Sequence, residues 1–162
     1  MKISVLGAGG WGTTLGILLH YNGHQVTLWE YKKNYVKELI KKRINSIYLP
    51  GIQIPQEISI THDLKESVYQ KNLIVLAVPS QFLRSVIDEV SYADIKNSIL
   101  VSVAKGIENK HLMTMSQMLK DVHPHLSDDQ IGVLSGPSHA EEVSKRIPTA
   151  VVAASTELET SK

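Results

Sequence analysis

The run Ile3-Ser4-Val5-Leu6-Gly7-Ala8-Gly9-Gly10-Trp11-Gly12 decides the fold of this chain. A short apolar, β-favouring stretch ends in a glycine-rich turn, and Thr13-Thr14-Leu15-Gly16-Ile17-Leu18-Leu19-His20 continues as an apolar helix. The glycines meet separable needs. Gly7 permits a sharp turn, Gly9 keeps a Cβ out of the path of an anion approaching backbone N–H groups, and Gly12 lets the helix lie close to the strand. A helix that starts beyond such a turn presents unpaired N–H groups and a partial positive charge, the ordinary seat of a dinucleotide pyrophosphate. A second strand, Gln25 to Trp29, follows the stop signal Asn22-Gly23. It ends at Glu30, about 20 residues beyond the glycines, where a carboxylate meets adenosine ribose hydroxyls. The competing reading of the same residues is a tight strand-to-helix turn with no ligand.

The chain of 162 residues is long enough for one domain with a real core and too short for two ordinary ones, so a single dinucleotide-binding domain is expected over 1–162. Hydrophobic residues at 43% and charged residues at 20% describe a soluble globular chain. A net charge of +1 makes no electrostatic case for nucleic acid or an anionic membrane as partner. No apolar run approaches the ~20 residues of a membrane span, and Ile3 to Leu6 is too short for a secretory signal. The absence of cysteine excludes disulfides, thiolate catalysis and zinc–thiolate sites, and fits a cytoplasmic location. No HExxH spacing, GxSxG or GxxxxGK[ST] is present, and no metal is expected.

Strand and helix patterns alternate almost to the end. Lys32 to Arg43 reads as a basic amphipathic helix with Tyr35, Val36, Leu39 and Ile40 on one face, its cations a solvated surface or a binding patch. Asn45 to Pro55 reads as irregular. Asp63-Leu64-Lys65-Glu66 fits a capping box. Leu73 to Val78 has the continuous apolar character of a central parallel strand, after which Ser80 is placed to cap a helix running to about Val90. Ile99 to Val103 and Ile131 to Leu134 are further strands, separated by a helix from about His111 to Val122. Ser138 is placed to cap a helix from His139, Thr149 to Ala154 reads as a last strand, and Ser155 to Lys162 as the start of a further element. Repeated units of this kind give an α/β fold: a doubly wound, Rossmann-like, mostly parallel sheet with helices on both faces.

Ligands of such sheets gather beyond the carboxyl ends of the strands. The loops that meet there are Gly7 to Gly12, Glu30 to Lys33, Val78-Pro79-Ser80, Ala104-Lys105-Gly106 and Ser135 to His139. Lys105 is the cation facing the middle of this edge. It is either a holder of a carbonyl oxygen or phosphate, or a surface lysine in a turn. Glu30 favours a free ribose diol and NAD, whereas Lys32 and Lys33 would attract a 2′-phosphate and NADP. His139 is either a ligand contact or a solvated residue at a helix start.

Gly7-Ala8-Gly9-Gly10-Trp11-Gly12-Thr13, Asn45 with Tyr48-Leu49-Pro50, Val78-Pro79-Ser80, Ala104-Lys105-Gly106-Ile107-Glu108 and Leu134-Ser135-Gly136-Pro137-Ser138-His139-Ala140-Glu141-Glu142 occur in one order. That set resembles the N-terminal domain of the bacterial NAD(P)-dependent glycerol-3-phosphate dehydrogenases over essentially the whole chain. The resemblance implies hydride transfer between NAD(P)H and dihydroxyacetone phosphate, making sn-glycerol 3-phosphate for phospholipid synthesis. It implies that Gly10 and Trp11 contact the cofactor at the pyrophosphate turn and that Tyr31 and Lys32 read its adenosine end. Lys105 would touch both cofactor and substrate, Gly136 and Ser138 the substrate, and Ala140 the cofactor, beside the strand end at Pro79. Glu30 departs from the smaller residues usual in NADPH-preferring members, which weakens the case for NADP.

The family's proton-transferring lysine and phosphate-binding groups lie in a helical C-terminal domain that this sequence does not contain. The 162 residues alone are therefore expected to fold and bind dinucleotide weakly but to turn over negligibly. An exposed apolar patch is expected where that domain would sit, favouring association into a homodimer. Two other readings stand beside this one: a related hydroxyacid dehydrogenase, and a dinucleotide-binding module without catalysis.

Overall fold

The computed structural model describes residues 1–161. Its elements run β1 (Lys2–Leu6), α1 (Gly10–Tyr21), β2 (Gln25–Trp29), α2 (Lys33–Lys42), β3 (Ile44–Asn45), β4 (Leu49–Gln53), β5 (Ser59–Thr61), α3 (Leu64–Val68) and β6 (Leu73–Leu76). There follow α4 (Ser80–Asp88), α5 (Tyr92–Ile95), β7 (Ile99–Ser102), α6 (Met115–Val122), β8 (Ile131–Ser135), α7 (Ala140–Ser144), β9 (Val152–Ser155) and α8 (Leu158–Ser161). Lys162, the end of the polar tail, lies outside the described residues.

The main sheet has the order β5-β2-β1-β6-β7-β8-β9, parallel throughout except for β9, which runs antiparallel to β8. The direction of winding reverses between β1 and β6, so the crevice that receives ligands in doubly wound sheets opens there. The register brings the strand ends level: Leu6 lies beside Trp29 and Leu76, and Leu76 beside Ser102. The glycine turn and the loops after β2, β6, β7 and β8 therefore share one edge.

Alternation along the strands sorts the core. Ile3, Val5, Val26, Leu28 and Val75 face a cluster with Leu15 and Ile17 of α1 and Tyr35, Val36 and Leu39 of α2. Leu6, Trp29, Ile74 and Leu76 face another with Leu83 and Ile87 of α4 and Met118 and Leu119 of α6. The α1 face is only half covered. Beyond α1, the apolar side chains of Val75, Val101 and Leu134 open onto a groove bounded by Leu18, Ala153 and Thr160. The lining of this groove is almost wholly apolar.

Several local expectations change. Asn45 to Pro55 falls largely in an antiparallel hairpin of β3 and β4, joined by a turn over 46–48 and carrying Gly51 at φ +80° within β4, so the irregular reading fails where proline interrupts the alternation. Ile40 is 46% exposed, because α2 buries a narrower stripe of Tyr35, Val36 and Leu39. Asp63 does cap α3 through the Glu66 N–H, but the Glu66 carboxylate takes the Thr61 hydroxyl instead of closing the box. The residue before α4 is Pro79 and the residue before α7 is His139. Neither Ser80 nor Ser138 caps, since each lies one residue off the position whose side chain can reach the first turn. The helix expected from His111 starts only at Met115, where Thr114 and Gln117 form a reciprocal capping box. The last strand begins at Val152, not Thr149.

Glycine is required where α1 meets the sheet. A Cβ on Gly12 would sit 1.9 Å from the Gly7 carbonyl oxygen and 3.0 Å from Ala77 Cβ, whereas one on Gly16 would meet Val26 and Val5 at ordinary contact distance. Gly12→Ala is therefore expected to destabilise the fold by at least about 3 kcal/mol in denaturant unfolding. Gly16→Ala, one helical turn further, is expected to be neutral or to stabilise by up to about 1 kcal/mol.

Candidate active site

The glycine turn is built from both sides. Gly7 has φ +109°, and a Cβ there would collide with the Ala77 backbone at 2.9 Å. Its N–H donates to the Trp29 carbonyl (3.0 Å), and Ala77 N–H donates to the Leu6 carbonyl (2.8 Å), so the turn leaves the sheet at a fixed point. Gly9 precedes α1, and Thr13 N–H makes the first helical bond to its carbonyl (2.9 Å). The N–H groups of Gly10, Trp11 and Gly12 thus have no partner inside the helix. A Cβ on Gly9 would meet nothing within 4 Å, while one on Gly10 would lie 2.6 Å from the Tyr48 carbonyl and 3.5 Å from Ala140 Cβ. The space is open above Gly9 and walled at Gly10 by the hairpin and by the start of α7.

One buried amide holds that wall. Asn45, fully buried, donates through Nδ2 to the Ala8 carbonyl and to Thr13 Oγ1, both at 2.8 Å. Its Oδ1 accepts from the Tyr35 hydroxyl (2.6 Å) and the Tyr48 N–H (3.0 Å). The full bonding capacity of the side chain is used to join turn, hairpin and α2. Nothing in the spacing of the sequence marks Asn45 for this role. On the far side, Thr14 Oγ1 donates to the Ala140 carbonyl (3.2 Å), bringing Ala140 against the first turn of α1. Trp11 is half-buried beside the core.

At the end of β2, Glu30 is only 5% exposed. Its Oε1 accepts from the Lys32 N–H (3.0 Å). Burial raises its pKa, opposed by that hydrogen bond, the nearby Lys32 charge and a hydrogen bond from the Ala8 backbone. Tyr31 is 66% exposed, with Lys32 Nζ 5.2 Å from its ring centroid. Glu30 therefore points into the turn, while Tyr31 and Lys32 stand outside it.

At the other end of the edge, Lys105 Nζ donates to the Ser138 carbonyl (2.9 Å) and reaches the Gly136 carbonyl (3.4 Å). Gly136 has φ +148°, and a Cβ there would lie 2.8 Å from the Ala150 carbonyl, so the loop after β8 packs closely on the backbone leading into β9. Ser138 is buried and its N–H donates to the Gly136 carbonyl (2.8 Å). The structure thus gathers Lys105, Gly136 and Ser138 into one group, Gly7 to Gly12 with Ala140 into a second, and Glu30 to Lys32 into a third. Pro79 is exposed between β6 and α4, and His139 is exposed before α7, making no side-chain cap.

An anion-ready helix N-terminus at a topological switch point, with a buried carboxylate ending the next strand, defines a doubly wound dinucleotide-binding domain. Comparison with known proteins narrows the class. The sequence profile of the NAD-dependent glycerol-3-phosphate dehydrogenase N-terminus matches residues 2–161, and the chain belongs to that family. A glycerol-3-phosphate dehydrogenase [NAD(P)+] from Thermoanaerobacter sp. is 52% identical over 155 residues, covering 96% of this chain and 46% of the relative. One from Fusobacterium nucleatum is 47% identical over 152 residues, 94% of this chain and 45% of the relative. The crystal structure of glycerol-3-phosphate dehydrogenase from Coxiella burnetii superposes with a TM-score of 0.90 at 31% identity, covering 99% of this chain and 48% of that one. The chain spans about half the length of the curated relatives it matches.

Because its folded pKa lies above the ordinary value of 4.5, Glu30 favours folding while protonated, and that contribution is lost as pH rises through the raised value. Glu30→Gln keeps an acceptor for the Lys32 N–H and removes the buried charge. Unfolding midpoints measured across pH should show the variant more stable than the parent at pH 7. The difference should close below about pH 4.

Proposed function

We propose that the protein carrying this chain is a glycerol-3-phosphate dehydrogenase that interconverts dihydroxyacetone phosphate and sn-glycerol 3-phosphate, and that these residues form its NAD(P)-binding domain. The observation that carries the proposal is the placement of Lys105 Nζ on the Ser138 and Gly136 carbonyls, at the same sheet edge as the glycine turn. When bound, the nicotinamide cofactor supplies or accepts the hydride.

The chain's own residues supply the seat. Gly7 and Gly12 set the turn, and the N–H groups at Gly10, Trp11 and Gly12 receive the pyrophosphate, with Gly9 leaving room above them. Pro79 and Ala140 flank that seat, and Glu30 meets the adenosine ribose hydroxyls with Tyr31 and Lys32 outside. Lys105, held by two carbonyls rather than by a carboxylate, has a third donor left for a substrate carbonyl or phosphate oxygen. Gly136 and Ser138 line the substrate side. The buried carboxylate favours a free 2′-hydroxyl over a 2′-phosphate, hence NADH over NADPH. The bare half of the α1 face is the surface on which the remainder of the protein, or a second copy of this chain, would pack.

Oxidation of NADH on addition of dihydroxyacetone phosphate tests the assignment directly. The full-length protein should be active, and Lys105→Ala should lower kcat/KM by about 100-fold or more. The 162-residue chain alone should bind NADH yet show negligible turnover, and turnover comparable to the full-length enzyme refutes its role as a cofactor-binding half. NADH should bind more tightly than NADPH, by about 10-fold. Gly9→Ala, which meets no protein atom, should leave stability unchanged and weaken NADH binding by about 10-fold or more. Sedimentation of the isolated chain at high concentration should show self-association, and a clean monomer would count against a second copy covering the groove.

A further inference from the structure

The loop that carries Lys105 is fastened to α4 by two side chains that no part of the proposed chemistry uses. Gln81 and Arg84 are three residues apart, on one side of the first turns of this helix. Gln81 grips the loop backbone with both ends of its amide: Nε2 donates to the Ile107 carbonyl (2.7 Å), and Oε1 accepts from the Asn109 N–H (3.0 Å). Arg84 takes the residue between them. Its Nε and Nη2 donate to the two carboxylate oxygens of Glu108, at 2.6 and 2.9 Å, in a bidentate pair, and its Nη1 donates to Asp121 of α6 (2.7 Å).

Glu108 is itself buried, pairs with His111 Nδ1 at 3.0 Å, and donates its N–H to the Met113 carbonyl (2.8 Å). Hydrogen bonds from Arg84, helped by His111, hold its pKa down to about 2, so the pair stays charged at neutral pH. Three consecutive residues, Ile107, Glu108 and Asn109, are thus immobilised, and only Gly106 at φ +90° separates them from Lys105.

We propose that Gln81 and Arg84 are positioning residues that set the place of the Lys105 ammonium by clamping the Ile107–Asn109 backbone onto α4. The proposal rests on the reading of Lys105 as a substrate-contacting group. A lysine at the surface has a long, freely rotating side chain, and its Nζ reaches the Ser138 carbonyl only if its Cα is fixed. Here the fixing comes from α4, which follows the neighbouring strand end through Pro79. The clamp therefore joins the loops after β6 and β7 into one rigid wall of the crevice. A displacement of about 1 Å at such a group is enough to lower turnover about 100-fold.

The test uses Gln81→Met and Arg84→Met in the full-length protein. Gln81 is exposed, so its variant should fold even where removal of Arg84 leaves Glu108 unpaired and unfolds the chain. Both substitutions should lower kcat/KM for dihydroxyacetone phosphate by about 10- to 100-fold, with the NADH dissociation constant moving by less than about 3-fold. Gln81→Glu, which keeps the acceptor for the Asn109 N–H, should fall between parent and Gln81→Met. In a Lys105→Ala background, Gln81→Met should cause no further loss, since its effect passes through the lysine.

The same fold-loss from Gln81→Met in both backgrounds overturns the proposal, as does an unchanged kcat/KM or a loss of NADH affinity that accounts for the whole effect. A Lys105→Ala enzyme as active as the parent overturns the underlying reading instead. The positioning role then falls with it.

Discussion

The contact on which the rest of the structure depends is the seating of Gly12 against the Gly7 carbonyl. There is no room between them for a methyl group, so the first turn of α1 lies directly on the end of β1 and against Ala77 at the end of β6. This closeness aims the free N–H groups of the helix into the crevice between the two halves of the sheet. It also fixes where the neighbours must go. Tyr48 reaches Gly10 because the hairpin is held by Asn45, and Ala140 reaches Thr14 because α7 lies along α1. Were the helix lifted by the width of a side chain, each of these contacts would open together.

The two faces of the sheet are covered differently. The face covered by α3, α4, α5 and α6 is closed, with Leu83, Ile87, Met118 and Leu119 fully buried. From that closed face α4 sends Gln81 and Arg84 to the Lys105 loop. The opposite face is closed only under α1 and α2. Beyond α1 it presents Val101 and Leu134 to a groove, next to the end of the described chain at Ser161. One face is thus closed by helices, while the other keeps an apolar groove beyond α1.

What could be read from the residues alone was whatever depended on local periodicity and on steric permission. The glycine turn, the strands from Lys2, Gln25 and Leu73, and the end of β2 at Glu30 all follow from short stretches whose pattern has one good structural solution. The strand Ser59–Thr61 escaped because it is too short to show alternation, and the β3–β4 hairpin because Pro50 and Gly51 lie within it. Capping serines were misplaced by a single residue, since a helix start is set by which residue can turn the backbone and not by which side chain could bond. The polar staples were the least visible. Asn45, Gln81 and Arg84 act through partners between 3 and 37 positions away, and no spacing rule connects an asparagine to the carbonyl of Ala8.

The two buried carboxylates of this edge respond to acid in opposite ways, and this follows from what each faces. Glu108 faces a guanidinium, so its ionised form is favoured. Its contribution to the fold is present above the ordinary carboxylate value of 4.5 and is lost as pH falls toward about 2. Glu30 faces mainly desolvation, so its ionised form is tolerated at a cost that the Lys32 and Ala8 backbone N–H groups and the Lys32 charge only partly offset. A carboxylate kept in a destabilising place is hard to explain by packing, since an amide would fit with less penalty. It is explained if the charge is wanted for the hydroxyls of a ribose, which can donate to both oxygens and restore the solvation that folding removed. On the proposed reading, the cost at Glu30 and the security at Glu108 serve one purpose: the first would hold a group ready for a ligand, and the second would keep the loop of Lys105 in place.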